Sequence, residues 1–378
     1  MDVSDSLGKF AWDVFDVVGD RNAVFSPFGL FTALGMLASG SDDGSPERQE
    51  VLRVLHSDSL ESLNRGLPSM APRYEDAVFH SSNLMLVDSS LLEGGARIDE
   101  SYLDTVSSVY GGSVSEADFR RDADAVREMI SRWVKACTEG LIPDYESIVT
   151  DDTVMDLLNV VYFKAEWFSP FDPHRTSSCR FTSSDGSVSD VRMMSKTSRF
   201  TFGYHSDGKH RGVRIRYKSG AAMLLVLPES PGDLGVLESW RSETAEYRVK
   251  FMNSLLTSPG AYVSLAMPAF TLSADYDLRK VFEGLGMDAV LFGKPGFGRM
   301  IGGRRLAFDA GKHQAKVKVD EEGTEAAAVT EIAMALGCAM ETERPIRFCC
   351  DVPFVFAIVD EDTGAYLFAG YVGDGENL

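Results

Sequence analysis

Six histidines, His56, His80, His174, His205, His210 and His313, are the side chains best suited to general base work near neutral pH, and they are scattered along the 378-residue sequence. No HExxH, GxSxG or GxxxxGK[ST] pattern accompanies them. Gly296-Phe297-Gly298-Arg299-Met300-Ile301-Gly302 has one residue too many for a dinucleotide fingerprint. A Ser-His-Asp triad assembled only in space stays open, which keeps a hydrolase as a lesser alternative. The five cysteines, Cys137, Cys179, Cys338, Cys349 and Cys350, are odd in number and lack CxxC or Cys/His metal spacing. They read as reduced thiols, and Cys349-Cys350 as strand residues beside a buried sheet, with no metal or cofactor implied.

The excess of 57 acidic over 37 basic residues gives a formal charge of −20. A field of that sign repels nucleic acid and anionic membrane, so the expected partners are proteins. The short basic clusters Arg120-Arg121, Lys209-His210-Arg211 and Arg304-Arg305 read as solvated surface. The first residues, Met1 to Phe10, carry acids where a secretory signal needs a basic region, and no transmembrane run follows. A cytoplasmic location is expected, with nuclear entry and unconventional release left open.

The most informative stretch is Asp320 to Gly337, DEEGTEAAAVTEIAMALG. With a strand's period of two, Thr324, Ala326, Ala328, Thr330, Ile332, Met334 and Leu336 share one face. Glu325, Ala327, Val329, Glu331, Ala333 and Ala335 share the other, so every charge falls on one side. Such a run could enter a sheet as a new central strand and also tolerate exposure. An ordinary alternating strand or an alanine-rich helix is the plain alternative.

The elements that must position this stretch are legible in outline. Ser26-Pro27 can open a helix, and Leu30, Phe31, Leu34, Met36 and Leu37 continue it as a buried one. Val126, Met129, Ile130 and Trp133 mark a second helix over 122–138, with Gly140 as its stop. After residue 153 strands are expected at Val154–Ala165, Val213–Tyr217, Ala221–Leu227, Tyr262–Phe270, 354–360 and 366–372. The last two flank the turn-rich Glu361–Ala365. Helix-rich then strand-rich order, without a linker or repeat, predicts an α+β fold in a single domain over 1–378.

Five blocks in order resemble the serpin family over nearly the whole chain. They are Asn22-Ala23-Val24-Phe25-Ser26-Pro27 with Ala33-Leu34-Gly35-Met36; Ile130-Ser131-Arg132-Trp133-Val134 with Thr138-Glu139-Gly140; and Asn159 to Trp167, ending at Pro170-Phe171. Val191-Arg192-Met193-Met194 follows, and Val319 to Ala327 with Pro353–Phe356 and Leu367–Gly370 completes the set. The ovalbumin-like intracellular serpins are nearest in character.

That resemblance implies a mixed five-stranded main sheet, two smaller sheets, about nine helices and an exposed reactive-centre loop over about 323–347. It also implies suicide trapping of a chymotrypsin-, elastase- or granzyme-like serine protease, with a cysteine protease as second class. The cut loop would insert into the main sheet. The scissile bond falls at Gly337-Cys338, with Leu336-Gly337 as the alternative, and the hinge comprises Glu321, Gly323, Thr324, Glu325, Ala326, Ala327, Ala328, Val329 and Thr330. Ser26, Asn159 and His313 form the cluster that governs sheet opening. A non-inhibitory serpin acting as a binding or chaperone module is the first rival.

Two departures bear on this expectation. Gly29 stands where serpins usually have serine, which removes a hydroxyl from the opening cluster. Ala269 stands where a lysine commonly meets the acid at the head of the loop, leaving Glu321 without that partner. A looser upper sheet and a monomer that polymerises on heating are expected. Trp133 and Trp167 are assigned packing roles.

Overall fold

The computed structural model describes residues 2–19, 21–75, 77–143, 145–302, 304–324, 344–376 and 378. The elements in chain order begin with α1 (Val3–Val17), β1 (Asn22–Phe25), α2 (Pro27–Gly40), α3 (Pro46–Val54), α4 (Leu60–Gly66), β2 (Val78–Asp88), α5 (Glu100–Tyr110), β3 (Gly112–Ala117) and α6 (Phe119–Cys137). Then come β4 (Met155–Glu166), β5 (Ser177–Thr182), β6 (Val188–Ser206), β7 (His210–Arg216), β8 (Ala221–Pro228), α7 (Val236–Arg241) and α8 (Ala245–Leu256). The chain continues with β9 (Gly260–Pro268), β10 (Phe270–Asp277), α9 (Leu278–Gly284), α10 (Asp288–Phe292), β11 (Ala310–Val319), β12 (Gly323–Thr324), β13 (Ile346–Cys349), β14 (Phe354–Asp360) and β15 (Tyr366–Val372). Ten α-helices are thus present among the described residues, against the nine or so expected.

The main sheet runs β10, β11, β12, β4, β2, β3. Five of these strands are long; the sixth, β12, is a two-residue wedge, so the expected five-stranded sheet is present with an extra piece at its top. It is mixed, since β4 pairs parallel with β11 and antiparallel with β2. The other expectation, two separate smaller sheets, is corrected. Backbone hydrogen bonds join those strands into one nine-stranded path, because the 19-residue β6 pairs with β5 and β9 along its first part and with β7 along its last. The register shifts between Ser198 and Phe202, where the strand passes from one set of partners to the other.

Between the two sheets lies α2, every residue of which is buried. Its apolar residues run all round, as a helix without a solvent face requires. Ser26 caps it by accepting the Gly29 N–H, and Pro27 occupies the first position, where no N–H is needed. The outer face of the main sheet is covered by α6, which buries Val126, Ile130 and Val134 against Leu84, Leu86, Leu158 and Val160. The single strand expected over Tyr262–Phe270 is divided at Ala269. There β9 ends in the nine-stranded sheet, and β10 begins in the main one.

Candidate functional site

Along the seam between β11 and β4 the parallel ladder aligns Ala310 with Asp156 and continues to Ala315 opposite Val161. It stops there. Above it the two strands are bridged by β12, whose Thr324 pairs antiparallel with both Val319 and Ala165, and whose Gly323 pairs with Glu166. A Cβ at position 323 would run into the Ala165 carbonyl, so only glycine lets the chain enter here. The seam is therefore closed by direct pairing over its lower part and parted by a two-residue strand at its upper end.

Midway down it, the register sets His313 beside Asn159 and Asn159 beside Asn83 on the face toward α2. A hydrogen-bond chain joins them. The Ser26 N–H donates to His313 Nε2 at 3.0 Å, which leaves the proton on Nδ1 to be donated to Asn159 Oδ1 at 2.7 Å. Asn159 Nδ2 donates to Asn83 Oδ1 at 2.7 Å, and Asn83 Nδ2 donates to Thr32 Oγ1 at 2.9 Å. The Thr32 hydroxyl returns the chain to the first turn of α2 through the carbonyls of Gly29, at 2.8 Å, and Phe28, at 3.0 Å. Every donor points the same way round a circuit that begins and ends in α2 and crosses three strands. All five side chains are buried, and burial pushes His313 down to about 3, so it is neutral.

Ser26, Asn159 and His313 are thus brought together as expected. The hydroxyl missing at Gly29 leaves no gap, because a Cβ there would lie 2.5 Å from Asn159 Oδ1 and 2.7 Å from Val161 Cγ2. Glycine at 29 permits close approach of α2 to the sheet, and Thr32 and Asn83 complete the circuit. Below it, Asp156 is fully buried with neither carboxylate oxygen hydrogen-bonded among the described residues. Burial and the like charge of Asp309 push its carboxyl up to about 7, against the pull of Lys312.

The stretch Asp320 to Thr324 is held from several sides. Trp167 donates its backbone N–H to Glu322 O at 2.8 Å and its indole N–H to Asp320 O at 2.9 Å, while Phe171 N–H donates to Glu321 O at 2.8 Å. The Thr324 hydroxyl meets the Tyr217 hydroxyl at 2.7 Å, and the Tyr217 ring stacks on Trp167 with centroids 4.3 Å apart. Glu321 is not left without a partner: Arg192 of β6 reaches its carboxylate at 2.8 Å. Burial works against that carboxylate, but the hydrogen bonds it accepts and the Arg192 charge outweigh burial and hold it below the usual range. The argument from Ala269 for a loose upper sheet is corrected accordingly; the Ala269 N–H itself donates to Arg192 O at 2.8 Å.

Of the predicted site, Glu321, Gly323, Thr324, Ser26, Asn159 and His313 are described. Glu325 to Thr330, Leu336, Gly337 and Cys338 lie outside the described residues. Sequence reasoning missed Asn83, Thr32, Arg192 and Tyr217, and it gave Trp167 packing alone. A buried asparagine has to satisfy four hydrogen-bonding positions, but Asn83 closes the polar run His80-Ser81-Ser82-Asn83, so nothing local set it apart from a loop residue. Nothing local marks Arg192 or Tyr217.

Comparison with known proteins decides the family. A family description, Serpin (serine protease inhibitor), matches residues 5–374. The chain is a serpin. It is 31% identical to an uncharacterized serpin-like protein of Thermococcus kodakarensis, with 97% of this chain and 84% of that protein covered. It is 29% identical to leukocyte elastase inhibitor A of Mus musculus, with 98% of each covered. Among solved structures, Serpin48 of the insect Tenebrio molitor shares its fold at 24% identity with a TM-score of 0.85, covering 99% of this serpin and 98% of that chain. Human thyroxine-binding globulin, complexed with thyroxine, shares it at 23% with a TM-score of 0.84 and 98% of each chain covered. No helix among the described residues of this serpin is long and apolar enough to cross a membrane.

Proposed function

We propose that this serpin inhibits a serine protease by suicide trapping, with the loop after Thr324 entering the seam between β11 and β4. The observation that carries this reading is the register of β12. Thr324 pairs with Ala165 and Val319, antiparallel to both. Continued downward, the loop six residues on, Thr330, comes opposite Asn159, six residues back along β4, and opposite His313, six back along β11. Cross-strand partners share a face, so Thr324, Ala326, Ala328, Thr330, Ile332 and Met334 follow Ala165, Phe163, Val161, Asn159, Leu157 and Met155 into the core. Those are the uncharged positions of the loop, and Glu325 and Glu331 fall on the opposite face.

Insertion replaces the direct His313–Asn159 contact by a new strand hydrogen-bonded on both edges, so the uncut protein is the less stable form. From Thr324 to Gly337 are fourteen residues, about 46 Å of strand at about 3.3 Å each, enough to carry an acylated protease across the sheet. Cleavage is assigned to Gly337-Cys338 or Leu336-Gly337, and the latter suits a chymotrypsin- or elastase-type pocket. The kinship with a leukocyte elastase inhibitor supports that protease class. The second reading, a ligand-binding serpin that inhibits nothing, draws on the fold shared with thyroxine-binding globulin.

Incubation with chymotrypsin-, elastase-, trypsin- and granzyme-like proteases and papain-like enzymes, followed by denaturing gels and mass spectrometry, separates the two. A complex that survives boiling in detergent, with a released fragment starting at Gly337 or Cys338, is the expected result. Clean cleavage by every protease, with no rise in melting temperature of the cut protein, supports the ligand-binding reading.

A further inference from the structure

Of the basic clusters that read as solvated surface, Lys209-His210-Arg211 behaves differently in the fold. Arg211 is 9% exposed and lines a cleft of about 760 Å³ at the junction of β5, β13 and the turn at 231–234. Its Nε donates to Pro228 O at 3.0 Å, its Nη1 donates to Arg347 O at 3.0 Å, and its guanidinium lies over the Phe348 ring at 5.4 Å. That fixes the group while leaving Nη2 without a hydrogen-bond partner among the described residues. Arg180 and Arg347 line the same cleft, and none of the three arginines has an ion-pair partner among the described residues. Arg180 faces Asp190 across the β5–β6 ladder without pairing to it, and Asp351 is the one acid in the lining. Leu234 and Val352 supply apolar wall.

Three guanidinium groups around one concavity, without an ion-pair partner among the described residues, are unexpected in a chain of charge −20. Guanidinium forks suit the paired oxygens of phosphate and sulfate, and the cleft volume is in the range of small-molecule sites. We infer that this cleft binds a small phosphate or sulfate ester, with the oxyanion among Arg180, Arg211 and Arg347 and the organic part against Leu234 and Val352. The site is separate from the β11–β4 seam, so the inference stands apart from protease trapping.

Isothermal titration of the intact protein with phenyl phosphate, phenyl sulfate and phenol tests it. Binding of one ester per chain is expected, with phenol failing to bind. Arg180→Gln and Arg347→Gln, both at exposed positions, should each weaken binding by about 10-fold, and Asp351→Asn should tighten it by removing a repulsive charge. Preference for phosphate or for sulfate identifies which ester class the cleft takes, and either preference supports the site. No one-to-one binding of either ester at millimolar concentration overturns the inference, as does binding that both arginine variants leave unchanged.

Discussion

Replacing Asn159 by leucine, similar in size and unable to hydrogen-bond, cuts the circuit at its middle. His313 Nδ1–H then loses its acceptor and Asn83 Oδ1 its donor, and both residues are buried. Stranding a buried polar group costs about 1–3 kcal/mol, so two of them cost about 2–6 kcal/mol. Unfolding entropy of about 2.1 cal/mol/K per residue over 378 residues comes to ~0.8 kcal/mol/K, so the melting temperature should fall by roughly 3–8 °C. The same bond holds β11 to β4, so the variant should also polymerise faster on warming. Circular dichroism melts run beside native gels of protein held just below unfolding read both effects. A midpoint within about 1 °C of the parent, with unchanged polymer yield, would refute the claim that this chain clamps the seam. A pH series adds an independent arm. His313 titrates near 3 in the fold and at 6.5 when unfolded, so the unfolded chain takes up a proton that the native site refuses. Native stability therefore falls as pH drops from 6.5 toward 3, by about 2 kcal/mol at pH 5. His313→Gln should remove that component; an unaltered slope would contradict it.

Asp156 acts in the opposite sense. Its native carboxyl stays protonated up to about 7 while the unfolded one ionises near 3.8, so its effect on stability worsens as pH rises between those values. Asp156→Asn should gain up to about 4 kcal/mol over the parent at pH 8 and little at pH 4 in urea titrations, and a gain independent of pH would contradict the assignment. Arg192→Ala should cost about 1 kcal/mol or less, because Arg192 is largely exposed, yet should raise the polymerisation rate by freeing Glu321; an unchanged rate argues against the pair as a hinge restraint. Thr330→Arg would place a charge on the core face of the inserted strand, at a penalty of several kcal/mol on the order of a buried ion, so cleavage should persist while complex is lost. Full inhibition by that variant would sink the register argument. Thr324→Arg tests the same idea less cleanly, because Thr324 is already buried against Tyr217 in the uncut protein.

How far the sequence could be read depended on whether the signal was local. The final hairpin was legible to the residue, 354–360 and 366–372, because its strands are continuous apolar runs around a polar turn. The helix at Pro27 was legible from its cap and its unbroken apolar content. By contrast β2 was missed, because His80-Ser81-Ser82-Asn83 looks like a loop until β4 and α2 supply the partners that satisfy it. The split at Ala269 was missed for a similar reason: an apolar run does not show that its two halves join different sheets. At the site, the trio Ser26, Asn159 and His313 was accessible from resemblance. Arg192 was not, since its pairing with Glu321 joins positions 129 residues apart.

The claim that the loop enters between β11 and β4 is tested most directly by solving the structure of the protein after cleavage at Leu336-Gly337 or Gly337-Cys338. The expected structure has β12 extended down the seam, Thr330 lying between His313 and Asn159, and their direct hydrogen bond gone. A cleaved protein that keeps the 2.7 Å contact between His313 Nδ1 and Asn159 Oδ1, with the cut segment outside the main sheet, would contradict the account.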